Sequence, residues 1–143
     1  MRLYVDTSAL AKWYIPERDS DAFDDFIRDN AGALISRLTV VEMQCLLARR
    51  RRDRQISPAV EQAAFRMFES HIRDGYLDVL TMADSHFLGA ADVLDRVRSV
   101  PLRTLDALHL AVATSAGAAM IATADPVMAD AAKALKFQTQ LFN

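Results

Sequence analysis

Five carboxylates stand where they could do chemistry. Asp6 ends the short β-favouring run Leu3-Tyr4-Val5 and is followed at once by Thr7 and Ser8. Glu42 comes one helical turn after a second apolar run in "LISRLTVVE", Asp84 follows a third in "DVLTMAD", and Asp125 follows a fourth in "MIATAD". Asp106 lies inside "TLDALHLAVA". In a parallel sheet, ligands bind beyond the carboxyl ends of the strands, so acids placed just after strands converge on one edge. Two carboxylates about 4 Å apart repel by about 4 kcal/mol at an effective dielectric near 20. Convergence therefore requires a raised pKa or a bound cation. Hard oxygen donors without a histidine or cysteine pair at zinc spacing select Mg²⁺ or Mn²⁺. Such an ion bridges phosphate oxygens, activates water for in-line displacement, and lets an acidic pocket accept a polyanion. If the acids meet, phosphodiester hydrolysis is the chemistry they imply.

Each acid also has a purely structural reading. Thr39-x-x-Glu42 matches a capping box. Asp125-Pro126 reads as a helix cap with proline at the first position, Asp84-Ser85 as another cap, and Asp6 is placed to cap a helix beginning near Ser8. The helix dipole favours acids in a first turn by up to about 1 kcal/mol. Asp106 fits this reading least well. Leu105, Leu108, Leu110, Ala111 and Val112 leave its helix little polar face, the mark of a buried helix. With Thr104 as cap, Asp106 is at the second position, and its charge needs hydrogen bonds or a cation. His109 shares its side and reads as a packed, hydrogen-bonded histidine. Spacing alone does not choose between Asp84 and Asp106.

The elements that must position these acids alternate. Short strands are predicted at Leu3–Val5, Ala33–Ile35, Leu77–Leu80, Met120–Ala122 and Gln138–Leu141. Between them lie helical patterns: "DSDAFDDFIRD", "TVVEMQCLLARRRR" with Val40, Met43 and Leu47 on one face, and "SPAVEQAAFRMFESHIRDG", capped by Ser57-Pro58 and closed by Gly75. "DSHFLGAADVLDRVR", "TLDALHLAVATSAG" and "DPVMADAAKAL" follow. This alternation defines an α/β fold, a three-layer α/β/α sandwich around a short, mostly parallel central sheet. The 143 residues, with only four glycines and four prolines, suit one domain spanning 1–143. No stretch approaches 18 uninterrupted apolar residues, so neither a signal peptide nor a membrane span is expected, and a cytoplasmic location is.

Charge is distributed unevenly around a net −2, which argues against bulk electrostatic attraction to nucleic acid but not against a local patch. Glu17–Asp29 holds six acids against two arginines, whereas Arg49–Arg54 holds five arginines against one aspartate. Fourteen of the seventeen basic residues are arginine, whose planar fork suits phosphate and carboxylate. Arg49, Arg50, Arg51 and Arg52 are candidate RNA-phosphate contacts, or else a solvated helix end favoured by the dipole. The single cysteine, Cys45, permits no intramolecular disulfide and reads as core filler.

Four motifs in order, "YVDTSAL", "SRLTVVEM", "LRTLDALHLAVA" and "IATADPVM", resemble the PIN-domain family, in particular VapC-type toxins of prokaryotic toxin–antitoxin pairs. The resemblance spans essentially the whole chain. It implies a Mg²⁺- or Mn²⁺-dependent endoribonuclease whose acidic quartet is Asp6, Glu42, Asp106 and Asp125, thereby choosing Asp106 over Asp84. Asp6 and Asp106 would be the principal metal ligands, with Glu42 and Asp125 acting through water or a second ion. Ser8 and Thr123 match the small polar positions that hydrogen-bond around the acids. A metal-activated water would then attack phosphorus in line and leave 5′-phosphate and 3′-hydroxyl ends. The resemblance also implies a homodimer and a small VapB-like antitoxin, with Trp13-Tyr14-Ile15 the preferred groove for it and Phe23 and Phe26 lesser candidates.

Two other readings remain. An acid after the first strand also occurs in aspartyl-phosphate phosphatases and phospho-receiver domains. The phosphatases need a second aspartate at position 8, which is serine here, and receivers need a lysine after their last strands, whereas Lys133 and Lys136 fall in the terminal helix pattern. The other reading is a PIN-fold module that binds RNA or a partner without cutting.

Overall fold

The computed structural model describes residues 2–143. Five strands, β1 (Leu3–Val5), β2 (Ala33–Ser36), β3 (Leu77–Leu80), β4 (Met120–Thr123) and β5 (Gln138–Leu141), form one sheet in the order β3-β2-β1-β4-β5. Every pairing is parallel. Tyr4 sits at the centre, level with Leu34 on one side and Ile121 on the other. β1 and β2 are buried along their whole length, while the edge strands β3 and β5 carry partly or fully exposed positions. That contrast explains why the central strands read as continuous apolar runs.

Among the described residues, seven helices cover the sheet: α1 (Thr7–Leu10), α2 (Ser20–Asp29), α3 (Arg37–Arg52), α4 (Pro58–Arg73), α5 (Asp84–Arg96), α6 (Thr104–Ser115) and α7 (Pro126–Ala134). A 3₁₀ turn at Ala11–Trp13 extends α1. Because strand residues alternate faces, two cores form. Leu3, Val5, Ala33 and Ile35 pack with Leu10, Phe23, Ile27, Met43, Leu47 and Phe68 from α1–α4. Tyr4, Leu34 and Ile121 pack with Val93, Leu110, Val112 and Met128 from α5–α7. The three-layer sandwich is therefore present, with five parallel strands in its middle layer.

Several local expectations hold and others shift. Ser57 caps α4, its hydroxyl accepting from Val60 N–H at 3.1 Å, and Gly75 takes φ +86° where the chain leaves that helix, a left-handed conformation that glycine adopts without Cβ strain. α6 is buried without interruption from Ala107 to Ala113, as its apolar composition requires. Lys136 lies beyond the end of α7, in a left-handed turn with φ +73°, rather than within the terminal helix. Tyr14 and Ile15, read as groove residues, are core side chains instead. The Tyr14 hydroxyl bonds His71 Nδ1 at 2.8 Å, and Trp13 stacks on the same imidazole with ring centroids 3.8 Å apart. Phe23 is fully buried and Phe26 packs against the same core.

Candidate active site

β1 → β2 → β3 runs outward in one direction, and β4 → β5 runs in the other from β1. The chain therefore parts to opposite faces after β1 and β4, leaving a crevice at their carboxyl ends. Asp6 stands there. Its N–H continues the ladder to Ala122 O at 2.9 Å, which fixes its backbone against β4. Its buried carboxylate makes no capping bond to α1, contrary to the capping reading. Instead Oδ2 accepts from Ser8 Oγ at 2.7 Å and from Thr123 Oγ1 at 2.8 Å. The two hydroxyls in turn accept the N–H groups of Ala124 and Asp125, each at 3.0 Å. The ends of β1 and β4 are thus tied through one carboxylate oxygen; among the described residues Oδ1 accepts no hydrogen bond, and it lies 3.9 Å from His109 Nε2. Asp125 does cap α7, Oδ1 accepting from Val127 N–H at 2.9 Å, and it lines the cleft as well. For this residue the structural and chemical readings coexist.

Glu42 departs from the expected capping box. α3 begins at Arg37 with Ser36 in the cap position, and it is Thr39 whose hydroxyl accepts the Ser36 N–H, at 3.1 Å. The helix starts early enough to put Glu42 in its second turn, where capping makes no demand on it. Oε1 accepts from Thr7 Oγ1 at 2.9 Å and from His109 Nε2. Burial pushes the Glu42 carboxyl up, but the hydrogen bond from His109, its charge and the Thr7 hydroxyl outweigh this and hold it below the usual value. For His109, burial pushes the imidazole down, yet the Glu42 bond and the charges of Asp6, Glu42 and Asp106 leave it above its ordinary value.

Asp106 is the third residue of α6, with Arg103 rather than Thr104 in the cap position. Its side chain is 15% exposed, and the nearest cation, Arg103 Nε, lies 3.6 Å away on a side chain that is itself 82% exposed. Burial, followed by the charge of Asp6, raises its pKa, and Asp125 adds to this against the opposing pull of Arg103. Asp106 therefore feels Asp6 and Asp125, as convergent carboxylates must.

All four acids line one cleft of about 810 Å³. On the α3 wall Cys45, Leu46 and Arg49 continue from Glu42, and on the facing wall Leu94, Leu102, Arg103 and Leu105 surround Asp106. Asp84 heads α5 as an exposed residue outside this cleft, and the α5 cap position is Ala83. Cys45 is exposed, not core filler, because the buried stripe of α3 is narrow and runs through Thr39, Met43 and Leu47. The arginine run divides. Arg50 pairs with Glu17 at 3.1 Å and Arg51 with Glu61 at 2.8 Å. Arg49 lines the cleft and, among the described residues, makes no ion pair. Arg52 is exposed at the helix end. Sequence reading did not single out Thr7, Arg103 or the Tyr4–His109 contact. A second hydroxyl beside Asp6 and a cation three residues before Asp106 were the available signals for the first two.

The donors fit a hard divalent cation in kind: carboxylate oxygens in excess over nearby cations, one of them buried with an uncommitted oxygen. Among the described residues, no three His, Cys, Asp or Glu side chains lie close enough together to hold an ion as they stand. The acids share a cleft and an electrostatic field rather than a ready-made coordination sphere.

A doubly covered parallel sheet with carboxylates gathered at its switch point defines an α/β protein with an acidic cleft. The PIN domain family model matches residues 3–134, and the chain belongs to that family. Solved structures of similar fold include VapC20 of Mycobacterium tuberculosis, described as a sarcin–ricin loop cleaving toxin (TM-score 0.70, 19% identity, 90% of this chain and 94% of that one). VapBC2 of Rickettsia felis, bound to a DNA fragment from its promoter, is similar over 100% of both chains at TM-score 0.69 and 13% identity. FitAcB of Neisseria gonorrhoeae is similar at TM-score 0.70 and 17% identity over 99% and 96%. No curated protein matches the chain by sequence.

Proposed function

We propose that this protein is an Mg²⁺- or Mn²⁺-dependent endoribonuclease, the toxin of a toxin–antitoxin pair. The observation that carries the reading is the meeting of Asp6, Glu42, Asp106 and Asp125, drawn from four separate parts of the chain, in one cleft at the sheet's switch point. Asp6 and Asp106 are the principal ligands in this reading, and Glu42 and Asp125 assist. A divalent ion in that cleft supplies positive charge to phosphate oxygens and makes water a competent nucleophile at neutral pH.

The chain's own residues do the rest. Ser8 and Thr123 hold Asp6 by one oxygen and leave the other without a hydrogen bond among the described residues. Thr7 and His109 hold Glu42 in the same way. Arg49 on one wall and Arg103 on the other are placed to meet phosphates of a strand lying between them. Leu94, Leu102 and Leu105 offer apolar surface to bases. Partners in this reading are RNA, a VapB-like antitoxin and a second copy of the chain, and the setting is cytoplasmic. Among the described residues, no helix is long and apolar enough to cross a membrane.

The test is cleavage of an end-labelled RNA with Mg²⁺, with excess EDTA, and with an Asp6→Asn variant. Cleavage leaving 5′-phosphate ends, abolished by EDTA and by the substitution, supports the nuclease. RNA binding without cutting by the unmodified protein favours the non-cleaving module. Stable phosphorylation of Asp6 by a small phosphodonor favours the phosphatase or receiver class.

A further inference from the structure

Two polar side chains beneath the cleft are buried beyond what packing alone requires. His109 is 0% exposed and Tyr4 is 0% exposed. They belong to different layers, Tyr4 to the central strand and His109 to the covering helix α6. The Tyr4 hydroxyl meets His109 Nδ1 at 2.7 Å, and Nε2 of the same ring meets Glu42 Oε1 on α3. Glu42 lies on the opposite side of the sheet from α6, so this imidazole is the bridge by which one layer reaches an acid carried by the other.

From this geometry we infer that His109, braced at Nδ1 by the Tyr4 hydroxyl, is a positioning residue for Glu42. The inference rests on the nuclease reading above, because it concerns one of the acids assigned there. An ionised carboxylate only accepts hydrogen bonds, so Nε2 must carry the proton in this contact. In a neutral ring Nδ1 is then the acceptor and takes the Tyr4 hydroxyl proton. In a charged ring Nδ1 donates to the Tyr4 oxygen instead. Nε2 donates to Glu42 in either state, so the role is orientational and independent of the protonation of the ring. Thr7 Oγ1 donates to the same oxygen at 2.9 Å. Two donors thus hold Oε1, and Oε2 is the atom left for an ion or a water.

Outer-shell partners of this kind are typically worth about 10–100-fold in metal affinity or activity. Three substitutions separate orientation from packing. His109→Leu removes the donor, His109→Gln keeps an N–H donor near the Nε2 position, and Tyr4→Phe keeps the ring but frees Nδ1. The readouts are Mn²⁺ affinity by calorimetry and the long-range proton–nitrogen spectrum of the three histidines. Expected is a loss of at least about 10-fold in Mn²⁺ affinity for His109→Leu, recovered to within a few-fold by His109→Gln. The spectrum of the unmodified chain should show an Nε2 proton on His109 that shifts in Glu42→Gln. If His109→Leu fails to fold, Tyr4→Phe decides by the same two measurements, with a smaller loss expected. Unchanged Mn²⁺ affinity in a folded His109→Leu or Tyr4→Phe protein, or a His109 signal indifferent to Glu42→Gln, overturns the inference. A wild-type chain that neither binds Mn²⁺ nor cuts RNA defeats the nuclease reading and the affinity claim together, while the spectrum still decides whether His109 holds Glu42.

Discussion

A carboxylate is useful at a strand end only if its direction is fixed, and Asp6 illustrates how this chain does it. Two hydroxyls from Ser8 and Thr123 occupy one oxygen, and both are themselves locked by backbone N–H groups after β4. Hydrogen bonds to a charged group contribute about 1.5–3 kcal/mol, and an orphaned buried donor costs about as much. Thr123→Val keeps the shape but removes a donor from Asp6 and the acceptor for Asp125 N–H. A stability loss of about 1.5–3 kcal/mol in urea unfolding is expected at this fully buried site. The loss for Ser8→Ala should be smaller, because Ser8 is only half-buried. Equal stability of Thr123→Val and wild type would contradict this account of the network. The capping reading of Asp6 fails for a definite reason. A capping pattern records only that an acid precedes a helix, whereas one of the two partners of Asp6, Thr123, comes from 117 positions away, which no local pattern contains.

At the scale of elements, α3 carries both chemistry and structure, and its ends separate them. Arg50 and Arg51 are engaged with Glu17 and Glu61, whereas Arg49 faces the cleft. In a cleavage-dead Asp6→Asn background, Arg49→Gln should weaken RNA binding and lower the slope of log K against log salt by about 0.7–1. Arg50→Gln should leave that slope unchanged, and equal slope changes would remove the distinction. A second element-level device joins the 3₁₀ turn to α4. His71 is stacked on Trp13 and bonded to the Tyr14 hydroxyl, and burial, then the nearby Arg28 charge, lower its pKa. The unfolded chain therefore takes up this proton before the folded one does. His71's contribution to stability is full above the unfolded value near 6.5 and declines as pH falls through that value toward the folded pKa. Between pH 7.5 and 5.5 the wild type should lose more stability than His71→Gln. Fluorescence of Trp13, the only tryptophan, should fall only at lower pH, where the folded protein itself takes up the proton. A wild-type profile parallel to that of His71→Gln would rule this out.

For the molecule as a whole, the sheet was legible and the cleft only partly so. Strands β1, β2 and β4 fall where apolar runs end on turn residues and carboxylates, because central strands buried on both faces leave an unbroken apolar trace. The caps at Ser57-Pro58 and Asp125-Pro126 were equally plain. What local pattern did not contain is rotation about helix axes. Glu42 and Cys45 face the cleft because α3 starts at Arg37 and buries only a narrow stripe. Tyr14 and Ile15 face inward because the 3₁₀ turn after α1 changes their phase. Choosing Asp106 over Asp84 needed a family resemblance, and the fold explains the choice by keeping Asp84 outside the cleft that Asp106 lines. The most direct measurement of the central claim is an anomalous difference map from a crystal of this protein grown with Mn²⁺. A peak in the cleft within coordinating distance of Asp6 and Asp106 is the predicted result. A fully occupied peak elsewhere on the molecule, with none between those two carboxylates at saturating Mn²⁺, would contradict it.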